Sequence, residues 1–314
     1  MNFVVSTKSL SKNYSGKTVL DDISLNIPKG RVFTLLGPNG SGKTTFLKIL
    51  TGLVLPSNGE GFCLGLNIVT SGREIRKKTC LVSEEPRLYD FLSVEEMVRF
   101  CRELYPRWNN RFMEEHLKRF NIPVTEKIKN LSHGTRKQLA LLIALAPEPE
   151  LLLLDEPASG FDPLFRRRFL NTALEKTIGE GKTVVIASHQ LDEIERVADH
   201  IAFLNRGRVI AQKSLQEIKD NMKQIRIVFQ SDPPASLFSM EGIFGVTRRG
   251  NTFLIQVDKN FEAVRQACAG FSYFSMEINN LNLEDIYFYL LDNEKMGQNK
   301  IKGDKEKNAQ PQSL

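Results

Sequence analysis

The sequence predicts an α/β fold built on a mostly parallel sheet whose strands end at one common edge. Three stretches carry this reading. Val32–Leu36 is an apolar run that delivers Gly37-Pro38-Asn39-Gly40-Ser41-Gly42-Lys43-Thr44, with a helical pattern behind it. Leu151-Leu152-Leu153-Leu154 is an unbroken apolar run ending in Asp155-Glu156, and Thr183–Ser188 is another ending at His189. Strands buried on both faces of a parallel sheet look like this, and ligands bind beyond their carboxyl ends.

Taken in order, residues 3–35 read mostly as strands. Ile23, Leu25 and Ile27 alternate with polar residues before Pro28-Lys29-Gly30 turns the chain into the run that feeds the glycine-rich loop. Phe46, Leu47, Ile49 and Leu50 form a helix stripe that ends at Gly52. Residues 56–85 look irregular to strand-like. Ser93-Val94-Glu95-Glu96 is a capping box opening a helix with Val94, Met97, Val98, Cys101 and Leu104 on one side. Residues 109–120 suggest another helix, and Trp108 beside Pro106 reads as packing at the bend, so a helical insertion spans about 90–148. A hairpin is expected over Ile201–Ala211, around Asn205-Arg206-Gly207. Past residue 218 the texture changes. Ile225–Ile227 and Phe253–Val257 are strand-like, and Phe261–Ala269 and Leu283–Leu291 look helical. This predicts a large domain over 1–218, a small α+β domain over 219–292 and a disordered, Lys-rich tail over 293–314.

Bulk properties set the class. The chain has 314 residues and a formal net charge of +6, from 43 Lys and Arg against 37 Asp and Glu. Part of that excess lies in the tail, so a solvated basic surface explains it better than a nucleic-acid partner. No apolar run reaches the ~18–20 residues that span a bilayer. The N-terminal residues lack the basic start and apolar centre of a secretory signal. Cys63, Cys80, Cys101 and Cys268 are scattered and form no CxxC pair, which argues against a metal cluster or disulfide framework and for a reducing compartment. The expectation is a cytoplasmic protein.

Gly37–Thr44 fits the G-x-x-x-x-G-K-[ST] pattern. Glycines let the backbone wrap an anion, the following helix points free N–H groups at phosphates, Lys43 reaches the β- and γ-phosphates, and the Thr44 hydroxyl serves Mg²⁺. Tandem acids after a buried strand complete that chemistry: Asp155 for Mg²⁺, Glu156 to orient an attacking water. His189 ends its strand at the same edge, where an imidazole N–H could meet the γ-phosphate. Tyr14 presents a flat ring that could stack on a base or simply half-bury in its strand.

Leu131-Ser132-His133-Gly134-Thr135, followed by Arg136-Lys137-Gln138 and an amphipathic helix, lies ahead of the paired acids. It resembles the signature motif of ABC ATPases, written LSGGQ. Ser159-Gly160-Phe161-Asp162 looks like that family's D-loop, His189 like its switch histidine, and Tyr14 stands where its adenine-stacking aromatic does. The resemblance covers roughly residues 3–215. It implies the P-loop NTPase fold of the ABC type, and Mg-ATP held by Tyr14, Gly37, Pro38, Asn39, Gly40, Ser41, Gly42, Lys43, Thr44 and Thr45. Ser132 and Gly134 would close the site from a second subunit, so the working unit would be a homodimer or a pair with a paralogous ATPase.

Three departures stand out. His133 and Thr135 replace the usual glycine and glutamine of the signature, and Phe161 replaces the usual D-loop leucine. Glu84, in Leu81-Val82-Ser83-Glu84-Glu85-Pro86, takes the place of the Q-loop glutamine; its carboxylate can still ligate Mg²⁺ but adds negative charge near the phosphates. Glu84–Tyr89 and the appended domain resemble ATPases serving exporters, antibiotic and peptide types among them, whose permease is a separate chain. The resemblance implies an ATP-hydrolysing transport subunit, peripheral on the cytoplasmic face of the membrane beside an integral permease. An importer ATPase with a regulatory C-terminal domain is the alternative. A soluble relative acting on nucleic acid or ribosomes fits less well, because the stretch between Lys43 and Ser132 has no sustained heptads and the chain carries one such cassette.

Overall fold

The computed structural model describes residues 3–157, 159, 161, 163–191 and 195–291. The chain packs as two units, Met1–Gln212 and Lys213–Leu314. Gly160 and Asp162 of the D-loop stretch, and the tail over 293–314, lie outside the described residues.

The first unit opens with β1 (Phe3–Tyr14) and β2 (Lys17–Pro28), paired antiparallel through a Ser15-Gly16 turn with both φ angles positive. That backbone twist matches the strands it joins. With β4 (Asn58–Cys63) and β5 (Leu66–Asn67) they form a four-stranded sheet in the order β2-β1-β4-β5.

The second sheet has six strands, ordered β10-β9-β3-β8-β7-β6: β3 (Val32–Leu36), β6 (Thr79–Val82), β7 (Leu151–Asp155), β8 (Thr183–Ser188), β9 (His200–Asn205) and β10 (Arg208–Ser214). β3 pairs in parallel with β8 and β9, and β7 with β6 and β8. All residues of β3, β7 and β8 are buried. The expected hairpin is β9–β10, turning at Arg206-Gly207, both with positive φ. Its first strand also belongs to the parallel core.

α1 (Lys43–Leu50) lies between the two sheets. Phe46, Leu47, Ile49 and Leu50 share one core with Leu10, Leu20, Ile23, Leu25 and Ile27 of the antiparallel sheet and with Phe33, Leu35, Leu153 and Val185 of the parallel one. A short helix, α2 (Gly72–Arg76), breaks the stretch over 56–85.

The helical insertion holds α3 (Val94–Leu104), α4 (Asn110–Arg119) and α5 (His133–Leu145). Ser93 and Glu96 make the capping box reciprocally. Asn109 caps α4. The expected amphipathic character of α5 is corrected here: every residue from Lys137 to Leu145 is buried. Its neighbours explain this, because α3, α4, β6 and α6 (Pro163–Ile178) surround it and leave no solvent face.

The second unit has a four-stranded antiparallel sheet, β12-β13-β11-β14, from β11 (Lys223–Phe229), β12 (Ile243–Arg249), β13 (Thr252–Val257) and β14 (Tyr273–Asn280). Helix α7 (Leu215–Asn221) precedes it, α8 (Phe261–Ala269) follows β13, and 283–291 is helical. Ile225, Ile227, Phe229, Phe253, Ile255 and Val257 pack with Val264 and Cys268 of α8. All four cysteines are free and buried.

β9 also braces the glycine-rich loop. A Cβ on Gly37 would stand 2.2 Å from the Leu204 carbonyl oxygen, a clash with backbone. Gly37→Ala is therefore expected to destabilise the nucleotide-free chain by about 2 kcal/mol, read by chemical denaturation. Unchanged stability would mean that β9 yields at Leu204.

Candidate active site

The loop after β3 delivers a bare helix terminus. Gly42 occupies the N-cap of α1 at φ 104°, with no side chain capping the helix. Besides that backbone demand, a Cβ there would meet Leu20 Cδ2 at 2.5 Å and the Val19 oxygen at 2.8 Å. The first N–H groups of α1 thus stay available, with the helix dipole behind them. Ser41 is buried, and its Oγ lacks a hydrogen-bond partner. Asn39 and Gly40 face solvent, Thr44 is exposed and Thr45 is half-buried.

Lys43 curls back over this loop. Its Nζ donates to the carbonyls of Gly37 at 2.8 Å and Pro38 at 3.2 Å, and lies 3.1 Å from Glu156 Oε1. Both side chains are almost fully buried, at 5% and 7% exposure. The contact is an ion pair by distance but off the hydrogen-bond direction, since Oε1 has no hydrogen-bond partner. The other oxygen of Glu156 meets His189, with Nδ1 at 2.8 Å and the backbone N–H donating at 3.3 Å. Glu156 sits at φ 45° just past the end of β7, where its own N–H donates to Ala187 at 2.8 Å. A left-handed non-glycine residue costs of order 1 kcal/mol or more and persists where its surroundings over-determine it.

Asp155 is the last residue of β7, with the Thr44 hydroxyl near its carboxyl. Burial pushes its carboxyl above the usual aspartate range. The Thr44 hydroxyl and Lys43 pull it back, while the like charges of Glu156 and Glu84 push it further up. Asp155 Oδ1 is buried without a partner. Thr44, Glu84 and Asp155 line one open cleft of about 710 Å³, together with Lys48, Glu85 and Ala140. A hydroxyl, an orphaned carboxylate oxygen and a nearby second carboxylate suit a hard cation. Among the described residues no cluster of three or more His, Cys, Asp or Glu could hold a metal by itself. Mg²⁺ here would therefore need phosphate and water oxygens to complete its shell, its usual situation beside nucleotides.

The structure thus gathers Lys43, Thr44, Glu84, Asp155, Glu156 and His189 at one sheet edge. It does not bring in the remaining candidates. Tyr14 stands at the β1–β2 hairpin, 42% exposed, with the Lys12 ammonium 4.7 Å over its ring. Ser132 caps α5, its Oγ accepting from Thr135 N–H at 3.1 Å and 2.8 Å from Thr135 Oγ1. Ser132 and Gly134 lie outside the residues lining the cleft. Sequence reasoning passed over Lys137, which is buried on α5 and donates to the Ser159 carbonyl at 2.5 Å. The one available signal was a lysine beside an otherwise apolar helical run.

A family model described as ABC transporter matches residues 20–159. The ABC transporter ATP-binding protein YtrB of Bacillus subtilis is 32% identical over 73% of this chain and 78% of its own. The chain belongs to the ABC transporter ATP-binding family. This ABC ATPase is also 35% identical to the lantibiotic transport ATP-binding protein SrtF of Streptococcus pyogenes, over 68% of this chain and 95% of that one. The dimeric post-hydrolysis state of the ATP-binding cassette MJ0796, bound to ADP and Pi, superposes on it with a TM-score of 0.61 at 26% identity, over 67% and 98% of the two chains. It is an ATP-binding, ATP-hydrolysing cassette with the P-loop α/β fold, as its motifs imply.

The orphaned charge at Asp155 has a measurable consequence. A carboxyl with a raised folded-state pKa holds its proton more tightly in the fold than in the unfolded chain. Its contribution to stability is present at low pH and is lost as the pH rises from the ordinary aspartate range to the raised value. Asp155→Asn removes that loss. The nucleotide-free variant is expected to be more stable at neutral pH by about 1 kcal/mol, with a flatter pH dependence in the acid range. Melting curves across that range check it, and a lower melting temperature at neutral pH would refute it.

Proposed function

We propose that this chain is the ATP-hydrolysing subunit of an exporter, closing as a dimer around two Mg-ATP to drive a permease carried on a separate chain. One observation carries the hydrolytic part: Lys43 and Glu156 meet, buried, at the end of β7, with His189 on the second Glu156 oxygen. Phosphoryl transfer asks a protein mainly for position and charge. In this reading the bare N–H groups of α1, the loop from Gly37 to Thr45 and the Lys43 ammonium bind the phosphates. Tyr14 stacks on the base. Thr44 and Asp155, with Glu84, hold Mg²⁺, which neutralises phosphate charge when bound. Glu156 takes its position from Lys43 and His189, orients the attacking water and accepts its proton, and His189 faces the γ-phosphate.

Ser132 and Gly134 act in trans, on the nucleotide of the facing subunit, which would be a second copy or a paralogue. Ser132 is exposed at the start of α5 and Gly134 half-buried beside it, both outside the lining of their own chain's cleft, which supports this, as does the dimeric form of MJ0796. A separate permease is supported by the described residues, none of whose helices is long and apolar enough to cross a membrane. Export is supported by the likeness to SrtF, a protein named for lantibiotic transport. The ATPase domain extends to about residue 218, and residues 219–292 form an accessory domain. The chain works at the cytoplasmic face of the membrane.

Two substitutions test this. Glu156→Gln should retain ATP binding, abolish turnover and leave an ATP-held dimer visible by gel filtration; normal hydrolysis by that variant removes Glu156 from the role. Lys43→Ala should lose nucleotide affinity by more than about tenfold, as expected when a charge-assisted bond is lost. Undiminished binding in a fluorescence titration would sink the loop assignment.

A further inference from the structure

Helix α5 presents one face to the hydrolytic edge. Gly134 and Lys137 are neighbours on that face at i, i+3, and Ala140 and Ala144 continue it. A Cβ on Gly134 would stand 3.3 Å from Phe161 Cε1, so the loop after Glu156 packs directly on the helix. The Lys137 ammonium donates to the Ser159 carbonyl at 2.5 Å and lies 5.6 Å from the centre of the Phe161 ring. Lower on the face, Ala140 and Ala144 line the cleft that holds Glu84, Glu85 and Asp155. Lys137 is 2% exposed.

A buried ammonium needs a reason, because desolvation disfavours the charge unless partners compensate. Burial pushes Lys137 below the usual lysine range, and Glu84, then Glu156 and Glu85, push it back up. The same Glu84 charge works against Asp155. A carboxylate where a neutral glutamine is usual thus adds one negative charge to an edge already carrying Asp155 and Glu156. Lys137 is the cation of α5 that faces that edge.

We propose that Lys137 is a positioning residue for hydrolysis: its ammonium ties α5 to the loop that follows Glu156, through the Ser159 carbonyl, and offsets the charge that Glu84 brings to the site. The signature helix and the loop carrying the water-orienting carboxylate then move as one piece, and the Lys137 charge opposes that of Glu84. This rests on the roles given above to Glu84, Asp155 and Glu156, which Glu156→Gln tests independently.

The experiment is a double-variant cycle on the full chain, with Lys137→Gln, Glu84→Gln and both together. The readouts are kcat and KM for Mg-ATP, affinity for a fluorescent ATP analogue in EDTA, and melting temperature without nucleotide. Lys137→Gln is expected to lower kcat by about tenfold, with KM and analogue affinity within about twofold, a transition-state effect rather than uniform binding. Adding Glu84→Gln should recover at least about threefold of that loss, the mark of coupled neighbours. Lys137→Met keeps the apolar stem inside α5 and takes the place of Lys137→Gln should that variant not fold. Unchanged kcat overturns the proposal. So does a loss that Glu84→Gln leaves untouched, because that outcome, with a matching fall in melting temperature, assigns Lys137 to packing alone.

Discussion

The buried contact between Lys43 and Glu156 is the constraint on which the site depends. Moving both groups out of water is unfavourable, and removing one partner of such a pair typically costs about 3–5 kcal/mol. The fold offsets this with partners for the ammonium and for one carboxylate oxygen. The Gly37 and Pro38 carbonyls accept from the ammonium, and His189 holds the second carboxylate oxygen. Those groups come from three neighbouring strands, β3, β7 and β8, whose parallel pairing sets their C-terminal ends side by side. The sheet is therefore the device that makes the ion pair possible.

The same edge stores unfavourable terms. Glu156 holds a left-handed backbone, Asp155 keeps a buried oxygen without a partner, and Ser41 Oγ is likewise orphaned. In most cores each would count as a fault. Here they lie at the edge to which the proposed function assigns a nucleotide phosphate and a hard cation. On that proposal, stability is given up at the positions that bind and react.

Much of this was legible in the residues. The apolar runs of β3, β7 and β8 identified central strands because burial on both faces removes the need for alternation. The glycine-rich loop and the tandem acids identified the chemistry because phosphate and metal binding need those groups at those spacings. The edge strands were harder. β12 is largely exposed and has no clean alternation, whereas β14 does alternate, Phe274, Met276 and Ile278 against Ser275, Glu277 and Asn279, a strand signal that the sequence reading passed over. α5 reads as amphipathic when taken alone, and is buried because four elements surround it.

By itself the sequence determined the family and pointed to the candidate phosphate-binding and metal-binding groups, since these follow from local pattern and side-chain type. Only the tertiary structure decided which of them meet. It placed Glu156 between Lys43 and His189, set Glu84 in the cleft with Thr44 and Asp155, and turned Lys137 toward Ser159. Those contacts join residues far apart in the chain, and parallel pairing with helix burial, rather than any local preference, brings them within reach.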